Sequence, residues 1–166
     1  MNLWFRILTV LLSLRKRPPL GVLETSVLEF RVFANDLDIN FHMNNGRYLT
    51  LMDLGRLDLV ARTGLGKEAL KNLWRPIVGS AFVSFRKELN PFQKFRLESR
   101  ILGWEGRWFY IQQRFYRGEV LCADAVVKAL MADKEGPMQV ERILQVVGFE
   151  GESPVLEEKV LARFAR

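Results

Sequence analysis

The stretch from Ile77 to Met131 leaves this chain few folds. It holds four runs of alternating side chains joined by connections too short for anything but hairpins. From Ile77 to Leu89, Ile77, Gly79, Ala81, Val83 and Phe85 oppose Val78, Ser80, Phe82, Ser84 and Arg86, and Asn90-Pro91 ends the run. Lys94 to Gly103 sets Phe95, Leu97, Ser99 and Ile101 against Arg96, Glu98, Arg100 and Leu102. Arg107 to Tyr116 alternates aromatics with Gln112, Gln113 and Arg114, and Val120 to Met131 completes the set. Glu105-Gly106 and Arg117-Gly118 are turn signals between runs. A parallel crossover needs about a dozen residues or more, so this sheet is antiparallel.

Upstream, Val22 to Asn35 also alternates and reads as a strand. Residues 35–46 are polar and rich in turn formers. From Gly46 to Thr63, Tyr48, Leu51, Met52, Gly55 and Leu59 recur at helical spacing. Leu49, Leu54, Leu57 and Val60 widen that stripe, which predicts a helix buried on most sides. Asp58 and Arg62 are expected to pair on its exposed remainder, and Gly64 and Gly66 suit its end. The tail, 138–147 and 154–166, reads as helical. One helix wrapped by one curved antiparallel sheet is an α+β layout. At 166 residues the chain fits one domain, 21–166, preceded by a separate segment, 1–20. The sheet has two edges, so pairing with a second copy is expected.

Single residues exclude whole classes of chemistry. The one cysteine, Cys122, rules out an intrachain disulfide and a cysteine-rich metal site, and in a strand pattern it reads as a buried, inert thiol. The one histidine, His42, rules out mechanisms that need two. No metal or cofactor is called for. A net charge of +6 favours anionic partners. Nucleic acid is the weaker choice among these. Aromatic and basic residues interleave in 107–117, but no recognition motif accompanies them and the charge is spread along the chain. Residues 1–17 combine a short apolar run with Arg15-Lys16-Arg17. The run is too short to span a bilayer and lacks the order of a signal peptide. Two readings stay open: an interfacial helix in peripheral contact with a membrane, or a helix packed on the domain or on a second subunit.

The polar loop concentrates what hydrolysis needs. Asp38, Asn40 and His42 stand at alternate positions and would share a side if the segment were extended. A carboxylate acts as base or nucleophile, a histidine moves a proton, and an amide orients either. The helix that begins near Asn45 offers free N–H groups to a developing oxyanion. The same residues are also ordinary turn and cap formers.

The segment Asp36-Leu37-Asp38-Ile39-Asn40-Phe41-His42-Met43-Asn44-Asn45-Gly46-Arg47-Tyr48-Leu49 resembles the signature of hotdog-fold thioesterases. It is very similar to the Asp-Leu-Asp-x-Asn-x-His-x-Asn-Asn-x-x-Tyr stretch of plant acyl-ACP thioesterases. It also resembles the looser pattern of the 4-hydroxybenzoyl-CoA thioesterase group and of bacterial long-chain acyl-CoA thioesterases. The resemblance covers about Leu23 to Met131 and implies a hotdog fold. It implies a thioester hydrolase acting on acyl-CoA or a related thioester in lipid metabolism, cytoplasmic and homodimeric or homotetrameric. It makes Asp38 the catalytic carboxylate, Asn40 a positioning amide, His42 a proton donor or orienting group, and the Asn45 N–H the oxyanion donor. Asp36, Asn44 and Gly46 correspond to structural positions, and Tyr48 to a structural or substrate-contacting one. Some hotdog enzymes carry a glutamate on the central helix; this helix has only Asp53 and Asp58. Asp53 reads as a helix acid beside Arg56, with support of the site the lesser alternative.

For substrate binding, Arg86, Lys87, Arg96 and Arg100 are candidate phosphate contacts, or else a solvated face paired with Glu88 and Glu98. Phe82, Phe85, Trp104, Trp108 and Phe109 line an acyl pocket or fill the core. Tyr48, Phe82 and Arg86 are the substrate-binding candidates carried forward. The alternatives to a hydrolase are a non-catalytic hotdog protein that binds an acyl thioester or lipid at a membrane, and a hotdog dehydratase. The paired asparagines favour the thioesterase.

Overall fold

The computed structural model describes residues 3–165. The expectations for Met1, Asn2 and Arg166 lie outside the described residues. The chain runs through α1 (Leu3–Leu14), β1 (Ser26–Arg31), a 3-10 turn (Ala34–Asp36), α2 (Asn45–Arg62) and α3 (Leu65–Lys71). It continues through β2 (Arg75–Phe85), β3 (Lys94–Glu105), β4 (Trp108–Arg117), β5 (Val120–Asp133), β6 (Gly136–Pro137), α4 (Val140–Val146) and α5 (Glu158–Ala162). The strands pair antiparallel in the order β1-β3-β4-β5-β2, with β6 on the end of β5. The curled sheet holds α2 against one face, which is the hotdog arrangement that the resemblance implies.

The hairpin reading of residues 77–131 holds for β3-β4 and β4-β5 but not for the first connection. β2 pairs with β5, and residues 89–93 bond instead to Met43 and to Val32 beyond β1, which sets β3 beside β1; local bonds explain where boundaries moved. β2 stops at Phe85 because the Arg86 and Lys87 N–H groups both turn to the Cys122 carbonyl, at 2.8 and 3.1 Å. Gly106 and Gly118, at φ 56° and 55°, open the two tight turns. α3 was not expected. Gly64, left-handed at φ 81°, ends α2 and starts α3 directly, and seven residues show too little periodicity to be read as a helix.

How α2 approaches the sheet is set at Gly55. A Cβ there would strike Ser99 Oγ and lie 2.8 Å from Gln113 Nε2 and 2.9 Å from Leu97 Cδ2. The contact is polar at its centre. Buried Gln113 on β4 donates to the Met52 carbonyl and to Ser99 Oγ, both at 2.9 Å, and accepts from Arg56 Nη1 at 2.7 Å. Burial pulls the Arg56 guanidinium below its ordinary range, against the opposing charge of Asp53. Further along, Asp58 and Arg62 do pair, at 3.4 Å, but not on an exposed face: Asp58 is fully buried. It also accepts from Ser26 Oγ at 2.5 Å and Arg17 Nη1 at 2.6 Å. These bonds fasten β1 and the segment after α1 to the central helix.

The sheet's two edges differ. On β1 the outward carbonyls of Val27 and Arg31 accept from Arg17 and Arg6, so arginines cap that edge. On β2, residues 75–82 are exposed on both faces, with Ile77, Val78 and Phe82 among them. On the sheet's other face α5 buries Val160 against Tyr110 and Val126. The N-terminal helix α1 packs on the domain through Val10 and Arg6, while its outer side stays exposed.

Gly55→Ala is expected to destabilise the fold by about 1–3 kcal/mol through overpacking, although alanine is the better helix former by about 1 kcal/mol. Urea unfolding checks the sign, since unchanged or raised stability would contradict the tight helix–sheet contact.

Candidate functional site

Residues 36–44 form a miniature hairpin. Leu37 and Met43 bridge antiparallel, the Asp38 N–H donates to the His42 carbonyl at 3.0 Å, and the Asn44 N–H donates to the Asp36 carbonyl at 2.8 Å. Leu37 and Met43 pack toward the core, so Asp36, Asp38, His42 and Asn44 alternate onto the other side of the two arms. This corrects the extended reading of the loop. Asp38 and His42 meet because the chain reverses between them, with Phe41 in a left-handed conformation at φ 58°. The Met43 N–H donates to the Leu89 carbonyl at 2.8 Å, tying the hairpin to the segment that follows β2.

At the heart of the site, Asp38 Oδ2 lies 3.5 Å from His42 Nδ1. Asp38 Oδ1 accepts from the Asn40 N–H at 2.9 Å, so one carboxylate oxygen is fixed by the turn and the other faces the imidazole. Both side chains are partly exposed, which leaves them open to a substrate. The Asn40 side chain sits at the exposed tip between Ile39 and Phe41 and is not brought onto the Asp38–His42 pair. Asn44 caps α2, its Oδ1 accepting from the Gly46 N–H at 2.8 Å. The exposed Asn45 N–H, at the first helical position, donates to no acceptor among the described residues. A half-buried carboxylate beside an imidazole and a free helix N-terminus can activate water or attack a carbonyl, return a proton, and hold an oxyanion.

The remaining candidates separate by position. Tyr48 is 2% exposed and packs edge-on against Phe85 and Phe115; burial raises its phenol far above the ordinary range. It belongs to the core and presents almost no surface to a ligand. Phe82 is half-exposed on β2 under the Arg163 guanidinium, 4.7 Å from its ring. Arg86 and Lys87 are exposed and have no ion-pair or hydrogen-bond partner for their side chains among the described residues. Arg96 pairs with Glu98 at 2.7 Å and stacks on Tyr116, and Arg100 donates to Gln112 at 3.1 Å, so both belong to cross-strand networks. Trp104 and Phe109 are core residues. Asp53 pairs with Arg56 on the helix surface, as read from the sequence. Burial pushes the Cys122 thiol up.

Sequence reasoning read Asp36 as a structural residue of the loop but missed the partner that makes it the anchor of the hairpin. Asp36 is buried and pairs with Arg6 of α1; it also accepts from the Phe33 N–H at 2.9 Å and lies 3.6 Å from Arg47 Nε on α2. The available signal was Arg6 itself, the one charge inside an apolar helix. A second contact missed was Arg56 with Gln113, because an exposed and a buried arginine look alike in sequence.

Comparison with known proteins adds a family. Residues 32–164 match the sequence profile of the Thioesterase-like superfamily. The probable thioesterase YBR096W of Saccharomyces cerevisiae is 31% identical over 121 residues, covering 70% of this chain and 52% of that protein. Among solved structures, YbaW, a probable thioesterase from Escherichia coli, superposes with a TM-score of 0.68 at 18% identity, covering 73% of this chain and 94% of that one. SAV2348 from Staphylococcus aureus, solved in complex with CoA, gives a TM-score of 0.61 at 12% identity, covering 86% and 94%. The chain spans only 48–64% of the length of the first sequence relatives it matches.

Two outcomes follow from the packing. Asp36→Ala, which strands the buried Arg6, should cost about 3–5 kcal/mol, and Arg6→Met combined with Asp36→Asn should cost clearly less; urea unfolding of the variants checks this. Cys122 should resist iodoacetamide in the folded protein and react once it is unfolded, read by mass spectrometry.

Proposed function

Because the chain belongs to the Thioesterase-like superfamily, we propose that it hydrolyses an acyl thioester of CoA to the free acid and thiol at the hairpin 36–44 and the N-terminus of α2. The observation that carries this reading is the Asp38–His42 pair at 3.5 Å beside the open Asn45 N–H. Asp38 Oδ2 either takes the proton of a water that attacks the thioester carbonyl or attacks that carbon itself. The oxygen becomes an oxyanion that accepts the Asn45 N–H, aided by the positive end of the α2 dipole. Collapse of the tetrahedral intermediate breaks the C–S bond, and His42 is placed to protonate the departing thiolate. If Asp38 attacks instead, the thiol leaves first and one water then cleaves the resulting anhydride, so either route consumes one water and yields acid and thiol. Asn40 acts through its backbone N–H, which holds Asp38 Oδ1.

The substrate's parts have candidate places. Arg86 and Lys87 leave β2 toward Leu89, which holds the hairpin, and their unpaired cations suit the phosphates of CoA. An apolar cavity of about 200 Å³ lies between α2 and β2, walled by Leu57, Val60, Ile77, Val78 and Leu130 with Asp53 and Arg56 at its rim. It suits the acyl part, and Phe82 extends the apolar surface along β2. CoA as the carrier is also in keeping with the CoA complex of SAV2348. The open β2 edge is the surface for a homodimer, and the capped β1 edge is not; a tetramer would be built from such dimers. We place the protein in the cytoplasm, with its N-terminal segment at the membrane face. No helix among the described residues is long and apolar enough to cross a membrane.

The test is thiol release from a panel of short, long and aromatic acyl-CoAs, comparing wild type with Asp38→Asn. The variant should lose roughly 10²–10⁴-fold in kcat, the range for a positioned acid–base group. Equal release from both proteins would overturn the role of Asp38. Binding without release from any member would favour the non-catalytic alternative.

A further inference from the structure

α1 is apolar on two sides. Its inner side sends Leu3, Ile7 and Val10 into the core, and Arg6 reaches Asp36 and the Arg31 carbonyl. Its outer side carries Trp4, Phe5, Leu8, Leu11 and Leu12, from 44% to 75% exposed. Positions 4, 5, 8, 11 and 12 recur every three or four residues and so form one stripe. A contiguous apolar surface of this kind marks a contact with another molecule or a membrane.

Charge and position say which. No acidic residue stands before Glu24, whereas Arg15 and Lys16 follow the helix, exposed and without ion-pair partners among the described residues. Arg17 is taken up by Asp58 and the Val27 carbonyl, so the end of the segment is pinned to the domain while its two neighbours face outward. A second copy is the poorer occupant. The open edge for pairing is β2, and α1 lies by β1 at the opposite edge, four strand spacings or about 19 Å away. Twelve residues make a helix about 18 Å long, which cannot span a hydrocarbon core of about 30 Å but can lie along its surface.

We propose that α1 lies flat in the headgroup region of an anionic phospholipid bilayer. Trp4, Phe5, Leu8, Leu11 and Leu12 insert, and Arg15 and Lys16 meet the lipid phosphates. The helix does not detach from the domain to do this. The buried Arg6–Asp36 pair stays closed and keeps the hairpin of Asp38 beside the membrane-bound helix. That last consequence rests on the thioesterase reading; lipid binding itself does not.

Co-sedimentation of the full chain with vesicles tests it. The protein should bind vesicles of phosphatidylcholine with phosphatidylglycerol, bind phosphatidylcholine alone far more weakly, and lose binding as salt rises. Leu8→Asp with Leu12→Asp should weaken binding roughly tenfold or more, with an unchanged Tm, because both positions are exposed. Arg15→Glu with Lys16→Glu should abolish the preference for anionic vesicles. Any one of four results would overturn the proposal: no binding by the wild type, equal binding to both vesicle types, undiminished binding by the Leu8/Leu12 variant, or a drop in that variant's oligomeric mass. Binding is read without substrate. Absence of thioesterase activity would therefore leave this result standing, and loss of vesicle binding would leave the role of Asp38 untouched.

Discussion

Asp36 is the carboxylate on which the architecture of the site depends. It is buried, yet every direction from it leads to a different element. Arg6 brings in α1, the Phe33 N–H closes the 3-10 turn, Arg47 brings in the first turn of α2, and the Asp36 carbonyl receives the Asn44 N–H at the base of the hairpin. A buried ion pair contributes little net stability against an apolar replacement, but breaking it is costly, so its value lies in fixing one arrangement. Here the arrangement fixed is the approach of Asp38 and His42 and the presentation of the α2 N-terminus beside them.

The second constraint is the close seat of α2 on the sheet. Gly55 removes the side chain that would hold the helix off, and Gln113 bonds the Met52 carbonyl across the gap. With the helix held there, its N-terminus emerges beside the hairpin and its flank leaves a cavity toward β2. The sheet itself is asymmetric. Arginines from α1 and its continuation close the β1 edge, while β2 stays open. One N-terminal segment therefore anchors the hairpin, blocks an edge and exposes an apolar stripe.

Much of this was legible in residues. The alternation from Ile77 to Met131 placed four antiparallel strands and the two hairpins with tight turns, β3-β4 and β4-β5, but not the place of the first strand, which crosses to pair with β5 because its eight-residue link to β3 is long enough to leave the hairpin path. The apolar spacing from Tyr48 to Leu59 placed the central helix by its own period. The motif from Asp36 to Tyr48 marked the loop in which Asp38 and His42 come together. What was not legible was three-dimensional closure. An alternating Asp38-Asn40-His42 looks extended, and only the Phe41 reversal shows that two of the three side chains meet while Asn40 stays exposed at the tip and bonds Asp38 through its backbone N–H. Tyr48 lies in a motif beside a site, yet tertiary packing against Phe85 and Phe115 makes it core. Asp58, read as a surface partner of Arg62, is buried because Ser26 and Arg17 reach it from elements distant in sequence. α3 escaped because a helix of two turns leaves no period to detect.

The central claim is that the hairpin and the α2 N-terminus hold a thioester carbonyl. The most direct measurement is amide NMR of the full chain titrated with an acyl-CoA ketone, in which a methylene replaces the thioester sulfur and the carbonyl is kept. The account predicts that the Asn45 amide shifts downfield as its N–H finds an acceptor, with Asp38, His42, Arg86 and Lys87 also perturbed. An unmoved Asn45 amide, with the perturbations gathered elsewhere on the fold, would contradict it.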